Sequence, residues 1–238
     1  MKTKREHIFM DRSKERGNAL IYVLIAIALF AALSFTLGRQ TDTSETGDLE
    51  SQRAELYATQ LISYAAQTKS AIDQMLFTAA SDINDLDFMD PSDANFDTGT
   101  LIHKVYHPQG GGLNPGVIAD QAIAQVTNDP EPGWYMGRFN NIEWTGTASA
   151  TTNEVVLIAY QISEQICGVI NEKINGSSTI PTMTSSIRNT LIDDALHGGT
   201  NVELTTDGGD ICPDCENMGS LCVQEGGIFG FYTIIADQ

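Results

Sequence analysis

The sequence predicts an α+β chain. A long N-terminal helix, membrane-spanning in its first half, packs through its second half on a small antiparallel sheet with extra helices and a disulfide-braced C-terminal region. Three observations carry that prediction. Residues 18–38 contain no charged side chain. From Leu49 to Leu76 apolar residues recur at three- and four-residue steps. After residue 81 the chain breaks into short segments punctuated by Gly and Pro, and it ends in the aromatic and β-branched run 228–236.

Composition narrows the function classes. The 238 residues are 42% hydrophobic, enough to supply a core and to exclude a disordered chain. The formal charge of −18 excludes nucleic acid as a partner, because phosphate recognition needs a basic footprint. The charge is also divided. The first seventeen residues hold six basic and three acidic side chains, a net of +3, and the other seven basic and 28 acidic residues give −21.

The first half of the long helix is read from residues 19–37, apolar except for Tyr22, Ser34 and Thr36. At about 1.5 Å per residue, twenty residues cross the roughly 30 Å hydrocarbon core of a bilayer. Six Lys and Arg precede the segment and Arg39 alone follows it closely, so the N-terminus is expected in the cytoplasm and the bulk of the chain outside. A removed secretory signal is disfavoured: the apolar stretch is too long, and Leu33-Ser34-Phe35-Thr36-Leu37-Gly38 is a poor small-residue cleavage site.

Lys14-Glu15-Arg16-Gly17 followed at once by Asn18-Ala19-Leu20-Ile21-Tyr22-Val23-Leu24 resembles the leader and apolar helix of type IV pilins and pseudopilins. The resemblance covers about 65 residues. It implies that a prepilin peptidase cuts after Gly17 and methylates Asn18. It further implies that Ala19, Leu20, Tyr22, Leu24, Ile27 and Leu29 anchor the subunit in inner-membrane lipid and later pack against other pilin-like subunits. The family usually carries Glu at the fifth mature position, where this chain has Tyr22. Some minor pilins and pseudopilins also lack that Glu, so the resemblance implies a minor or tip subunit.

The remaining elements follow in order. Residues 41–48 are polar, contain Gly47, and read as a membrane-proximal break, or as a hinge in one helix running from about residue 19 to 80. From Leu49 an amphipathic helix resumes through Leu56, Tyr57, Leu61, Tyr64, Ala65, Ile72, Met75 and Leu76. The domain plan is thus a leader at 1–17, a transmembrane helix at 18–38, a membrane-proximal amphipathic helix at 39–80, and an exported head at 81–238. Asp82, Asp85, Asp87, Asp90, Asp93 and Asp97 form an acidic loop. It lacks the D-x-[DN]-x-[DN]-G spacing of a calcium loop and reads as solvated, and 207–210 is an equally weak candidate. His103 and His107 have no third ligand nearby, and Gly110-Gly111-Gly112 reads as a turn needing positive φ. Residues 134–139 and 142–144 read as strands around Asn140-Asn141. Residues 152–175 read as a helix closed by Gly176, and 185–197 as a shorter helix.

Cys167, Cys212, Cys215 and Cys222 all fall on the exported side, where oxidation favours two disulfides in one of three connectivities. Cys167 lies on a predicted helix and the others in a predicted loop, so at least one bond is expected to tie the two together. A bridge from Cys167 to Cys222 would contribute about 4 kcal/mol in the chain-entropy picture. Cys212-Pro213-Asp214-Cys215 has the spacing of a thiol–disulfide oxidoreductase, but too few residues follow for that fold. A zinc site lacks its second C-x₂-C pair. No nucleophile elbow, phosphate-binding Gly loop or H-E-x-x-H helix is present, so no catalytic residue, metal or cofactor is predicted.

The function expected is structural rather than enzymatic. The chain reads as a minor pilin or pseudopilin of a type IV pilus or type II secretion-type filament. It would be held single-pass in a bacterial inner membrane, with its head in the periplasm or in an extracellular filament. The alternative is an envelope-anchored protein whose periplasmic domain binds a partner without polymerising.

Overall fold

A computed structural model describes residues 16–78, 82–140, 142, 153–193, 204 and 211–237. Within the helix at 16–78, side chains are described for 22–31 and from 49 onward. The chain divides into two compact units, one ending at Ser51 and the other beginning at Gln52.

The first unit is described by helix α1, which runs Arg16–Thr78 and continues into the second unit. The polar stretch 41–48, expected as a break or as a hinge within one long helix, is helical throughout. None of its residues is Pro, and Gly47 alone costs only about 1 kcal/mol against Ala, so backbone hydrogen bonding continues through it. Among the described residues no helix is long and apolar enough to cross a membrane. The candidate span 18–38 has its helical backbone described throughout and its side chains described only for 22–31.

The second unit is α+β. Its four strands are β1 (Gly133–Phe139), β2 (Glu154–Tyr160), β3 (Ser220–Glu225) and β4 (Ile228–Asp237), in the order β1-β2-β4-β3 and antiparallel throughout. Two further helices are α2 (Glu164–Asn175) and α3 (Ile187–Leu191). β3 and β4 form a tight hairpin through Gly226 and Gly227, whose φ of 58° and 86° supply the left-handed turn that joins strands of natural twist.

Residues of successive parity on β2 enter opposite layers. Val155, Leu157 and Ala159 join Ala58, Leu61, Ala65 and Ile72 of α1 and Ile166 and Ile170 of α2. Val156, Ile158 and Tyr160 join Ile187 and Leu191 of α3, together with Cys212 and Cys215. All seven residues of β2 are buried. This overturns the expected helix over 152–175: the segment is strand β2, then a sharp corner at Gln161, then α2 alone. A central strand covered on both faces carries a continuous apolar run, and such a run has no alternation to separate it from a helix. Gln161 sits at φ 61°, and its buried amide donates to Thr127 O and Pro130 O at 2.9 and 3.0 Å while accepting from the amides of Val126 and Thr127. The helix then starts at Ser163, whose hydroxyl accepts from Ile166 N, and stops at Gly176 with φ 77°.

Other expectations are met in part. β1 covers 134–139, but its partner is β2 rather than 142–144; of the latter segment only Ile142 is described, buried and outside any strand. β4 matches the predicted final strand. The described part of the shorter helix is α3, and 194–200 lies outside the described residues. Cys222 stands on β3, not in a loop, because Ser220–Glu225 pairs with β4 along its whole length.

Candidate functional site

Three regions hold the residues singled out by sequence. The first is the N-terminal part of α1. Gly17, Asn18, Ala19 and Leu20 belong to its helical backbone, and Tyr22, Leu24, Ile27 and Leu29 are exposed, as are Val23, Ile25 and Phe30. Exposure at consecutive positions means that apolar side chains project all round the helix over 22–31. A helix of that kind is not made for water and calls for an apolar surround.

The second region is the junction of α2 with β3. Cys167 and Cys222 form a disulfide with Cα atoms 5.4 Å apart, spanning 55 residues of sequence. One turn further along α2, buried Asn171 reinforces the tie. Its Nδ2 donates to Cys222 O and Thr179 O, both at 2.9 Å, and its Oδ1 accepts from Cys222 N at 2.8 Å. β3 is an edge strand, and these bonds satisfy backbone groups that would otherwise face outward. The residues after α2 cover the rest of the edge, with Gln224 N donating to Pro181 O and Met183 N to Gln224 O. Cys212 and Cys215 form the second disulfide within the turn Pro213–Cys215, both residues fully buried. The pairing is therefore one helix-to-strand tie and one local clasp. A clasp buried in the core holds a turn and presents no sulfur at the surface.

The third region is the acidic loop. Its carboxylates cap their own turns: Asp82, Asp87, Asp90 and Asp93 accept from the backbone N–H two residues on, at 2.7–2.8 Å. The two bonds from Ser92 hold the Asp90 carboxyl below the usual carboxylate range. Buried Lys104 anchors the loop, its ammonium donating to Asn95 O and Phe96 O at 2.8 Å and lying 5.8 Å from the Phe96 ring centroid. Arg138 on β1 donates to Leu86 O, with its guanidinium 5.3 Å from the Phe88 ring centroid. His107 accepts from Gln109 N through Nδ1 and places Nε2 3.4 Å from Asp97, whereas His103 lies in a separate 3-10 turn. Among the described residues no group of three or more His, Cys, Asp or Glu could hold a metal ion, and 207–210 lies outside them.

The glycine run after His107 has two uses rather than one. Gly112 adopts φ 59°, as a turn demands, but a Cβ on Gly110 or Gly111 would meet the carbonyls of Lys104 and Val105 at 2.2 and 2.4 Å. Sequence reasoning missed Asn171, Gln161 and Lys104. Asn171 could have been found as a lone polar residue four positions after Cys167, on the apolar side of the helix. Lys104 and Gln161 carried no sequence signal, because each is defined by carbonyls brought to it from another segment.

No protein-family model, characterised protein or solved structure matches the chain.

Proposed function

We propose that the chain is a pilin-like structural subunit, a minor pilin or pseudopilin, anchored in the inner membrane by the apolar part of α1 and assembled through that helix. The observation that carries the reading is the order of elements at the N-terminus. A basic segment ending in Gly17 leads without a gap into an uncharged apolar run, and that run continues as one helix into the part of α1 that packs in the head. The exposed apolar residues 22–31 support it, since lipid and later neighbouring helices would supply the surround they lack. The antiparallel sheet behind α1 and the disulfide holding the C-terminal hairpin to α2 agree with the pilin resemblance. In this reading the head performs no chemistry and presents a surface.

Fractionation of cells expressing the full chain tests the assembly step. A filament subunit appears in the sheared surface fraction together with other subunits. If the chain stays wholly with the membrane after shearing, and assembly of other subunits is unchanged by its deletion, polymerisation is refuted and the fixed-anchor reading takes its place. Tyr22, standing where the family's assembly Glu is usual, is the specific feature that favours this second reading.

A further inference from the structure

The outer face of α2 carries a pattern that the fold does not require. Glu164, Gly168 and Glu172 are spaced four apart and so lie along one side of the helix. Together with Val169, Ser178 and Ile180 they line a shallow groove of about 440 Å³. Val169 and Ile180 pack against the core from its edge and form an apolar floor.

Gly168 is the informative residue. A glycine in mid-helix costs stability relative to alanine, and one is retained where a Cβ would collide. No collision exists here: the nearest atoms to a Cβ at 168 are Ser178 O at 3.4 Å and Ser178 Cβ at 3.8 Å, ordinary contacts. Its φ is not in the left-handed region either. Neither packing within the chain nor backbone conformation accounts for glycine, whereas close approach of another chain does.

The two carboxylates point the same way. Neither Glu164 nor Glu172 has an ion pair among the described residues, and Lys173 is turned instead to Glu55 at 3.8 Å. Glu164 in the first turn suits the helix dipole, but Glu172 in the last turn opposes it. Eight residues of helix put these carboxylates about 12 Å apart.

From these features we infer that the groove is a docking site for a segment of another protein, one that places an apolar side chain over Gly168 and a Lys or Arg on each glutamate. On a partner helix that is an i, i+8 pair of cations, and on a partner strand an i, i+4 pair. The body of a second copy does not offer it. The seven basic residues after Gly17 are Arg39, Arg53, Lys69, Lys104, Arg138, Lys173 and Arg188, and no two are closer than fourteen positions. The occupant is therefore a different, basic chain. Its attraction to a body of net charge −21 would also speed its arrival.

The probe is a labelled Ala-rich helical peptide with two Lys eight positions apart and Leu midway, titrated by fluorescence anisotropy into the full chain in zwitterionic detergent. A second peptide replaces both Lys by Glu, and a third reproduces residues 1–17. The account expects the Lys peptide to bind and the Glu peptide not to. Glu164→Gln with Glu172→Gln should weaken binding at least tenfold. Gly168→Leu should weaken it as much while leaving the thermal midpoint unchanged or raised, which separates a filled groove from a damaged fold. Equal binding of the Lys peptide by wild type and both variants would show attraction to net charge alone and overturn the site. So would no binding at millimolar peptide, or an equally tight complex with the 1–17 peptide, which would return the occupant to a second copy.

Discussion

Replacing Asn171 by Leu tests the junction between α2 and β3 most sharply. The substitution keeps the side-chain size and removes three hydrogen bonds, leaving Cys222 N, Cys222 O and Thr179 O without their partner. A buried backbone group left unpaired costs about 1–3 kcal/mol. Relief of the amide's own burial offsets part of this, so a net loss of about 3 kcal/mol is expected. For a unit of this size each kcal/mol lowers the midpoint by roughly 2–4 °C. Near-ultraviolet circular dichroism of the oxidised full chain should therefore show a fall of about 6–12 °C. Asn171→Asp is the companion variant. It keeps the acceptor for Cys222 N but turns an anion toward two carbonyls, so at neutral pH it should be at least as damaging as Leu. Acidification should relieve it in part, as the protonated carboxyl regains one donor. A drop below about 2 °C for Leu, or a pH-independent Asp variant, would mean that water or another group serves the strand edge, and the junction argument would fail.

Four other outcomes are expected. Removing the long disulfide with Cys167→Ala and Cys222→Ala should cost about 4 kcal/mol, whereas Cys212→Ala with Cys215→Ala, which opens a three-residue separation, should cost less than half as much; paired denaturation curves compare them. Gly116→Ala would place a Cβ 2.5 Å from the rings of Trp134 and Tyr64, so a loss of about 1–3 kcal/mol and a shifted tryptophan emission are expected. Burial raises the Tyr232 and Tyr106 phenols above the ordinary value of about 10, the charge of Tyr64 adding to the shift at Tyr106. The native state then holds those protons more tightly than the unfolded chain, so their contribution is complete below about pH 10 and is lost as pH rises beyond it. Absorbance at 295 nm should record both ionising late, together with unfolding, and Tyr232→Phe should flatten the alkaline limb while losing the 2.9 Å bond to Met218 O.

The elements most legible in the sequence were the second half of α1 and the final strand β4. On α1 the spacing picked out Leu61, Ala65, Ile72 and Met75, which are buried, but also Leu49 and Leu56, which are exposed. The buried positions of that stretch are taken by the small residues Ala54 and Ala58. β4 was readable from its aromatic and β-branched run. β2 and β4 are both buried on both faces, which erases the alternation that marks a strand. β4 kept its aromatic and β-branched signature, whereas β2 runs into the apolar residues of α2 with only 161–163 between them and so read as one helix with it. The turn at Gln161, which separates it from α2, has neither Gly nor Pro; its left-handed backbone is held by contacts with residues 126–130, some thirty-five positions away. The cysteines were readable as a framework, since Cys167 had to reach beyond its own helix. Which partner it took depended on β3 lying against α2, a tertiary fact. The acidic loop was read as solvated for want of calcium-loop spacing, and what the sequence did not show is that four of its six aspartates close their own local turns.

The central claim concerns the N-terminus, and intact-mass and N-terminal peptide mass spectrometry of the full chain purified from the membrane fraction of cells that express it tests it most directly. A pilin-like subunit should begin at Asn18 with an added methyl group and lack residues 1–17. A chain that retains Met1 through Gly17 in the assembled or membrane-held protein would contradict the account.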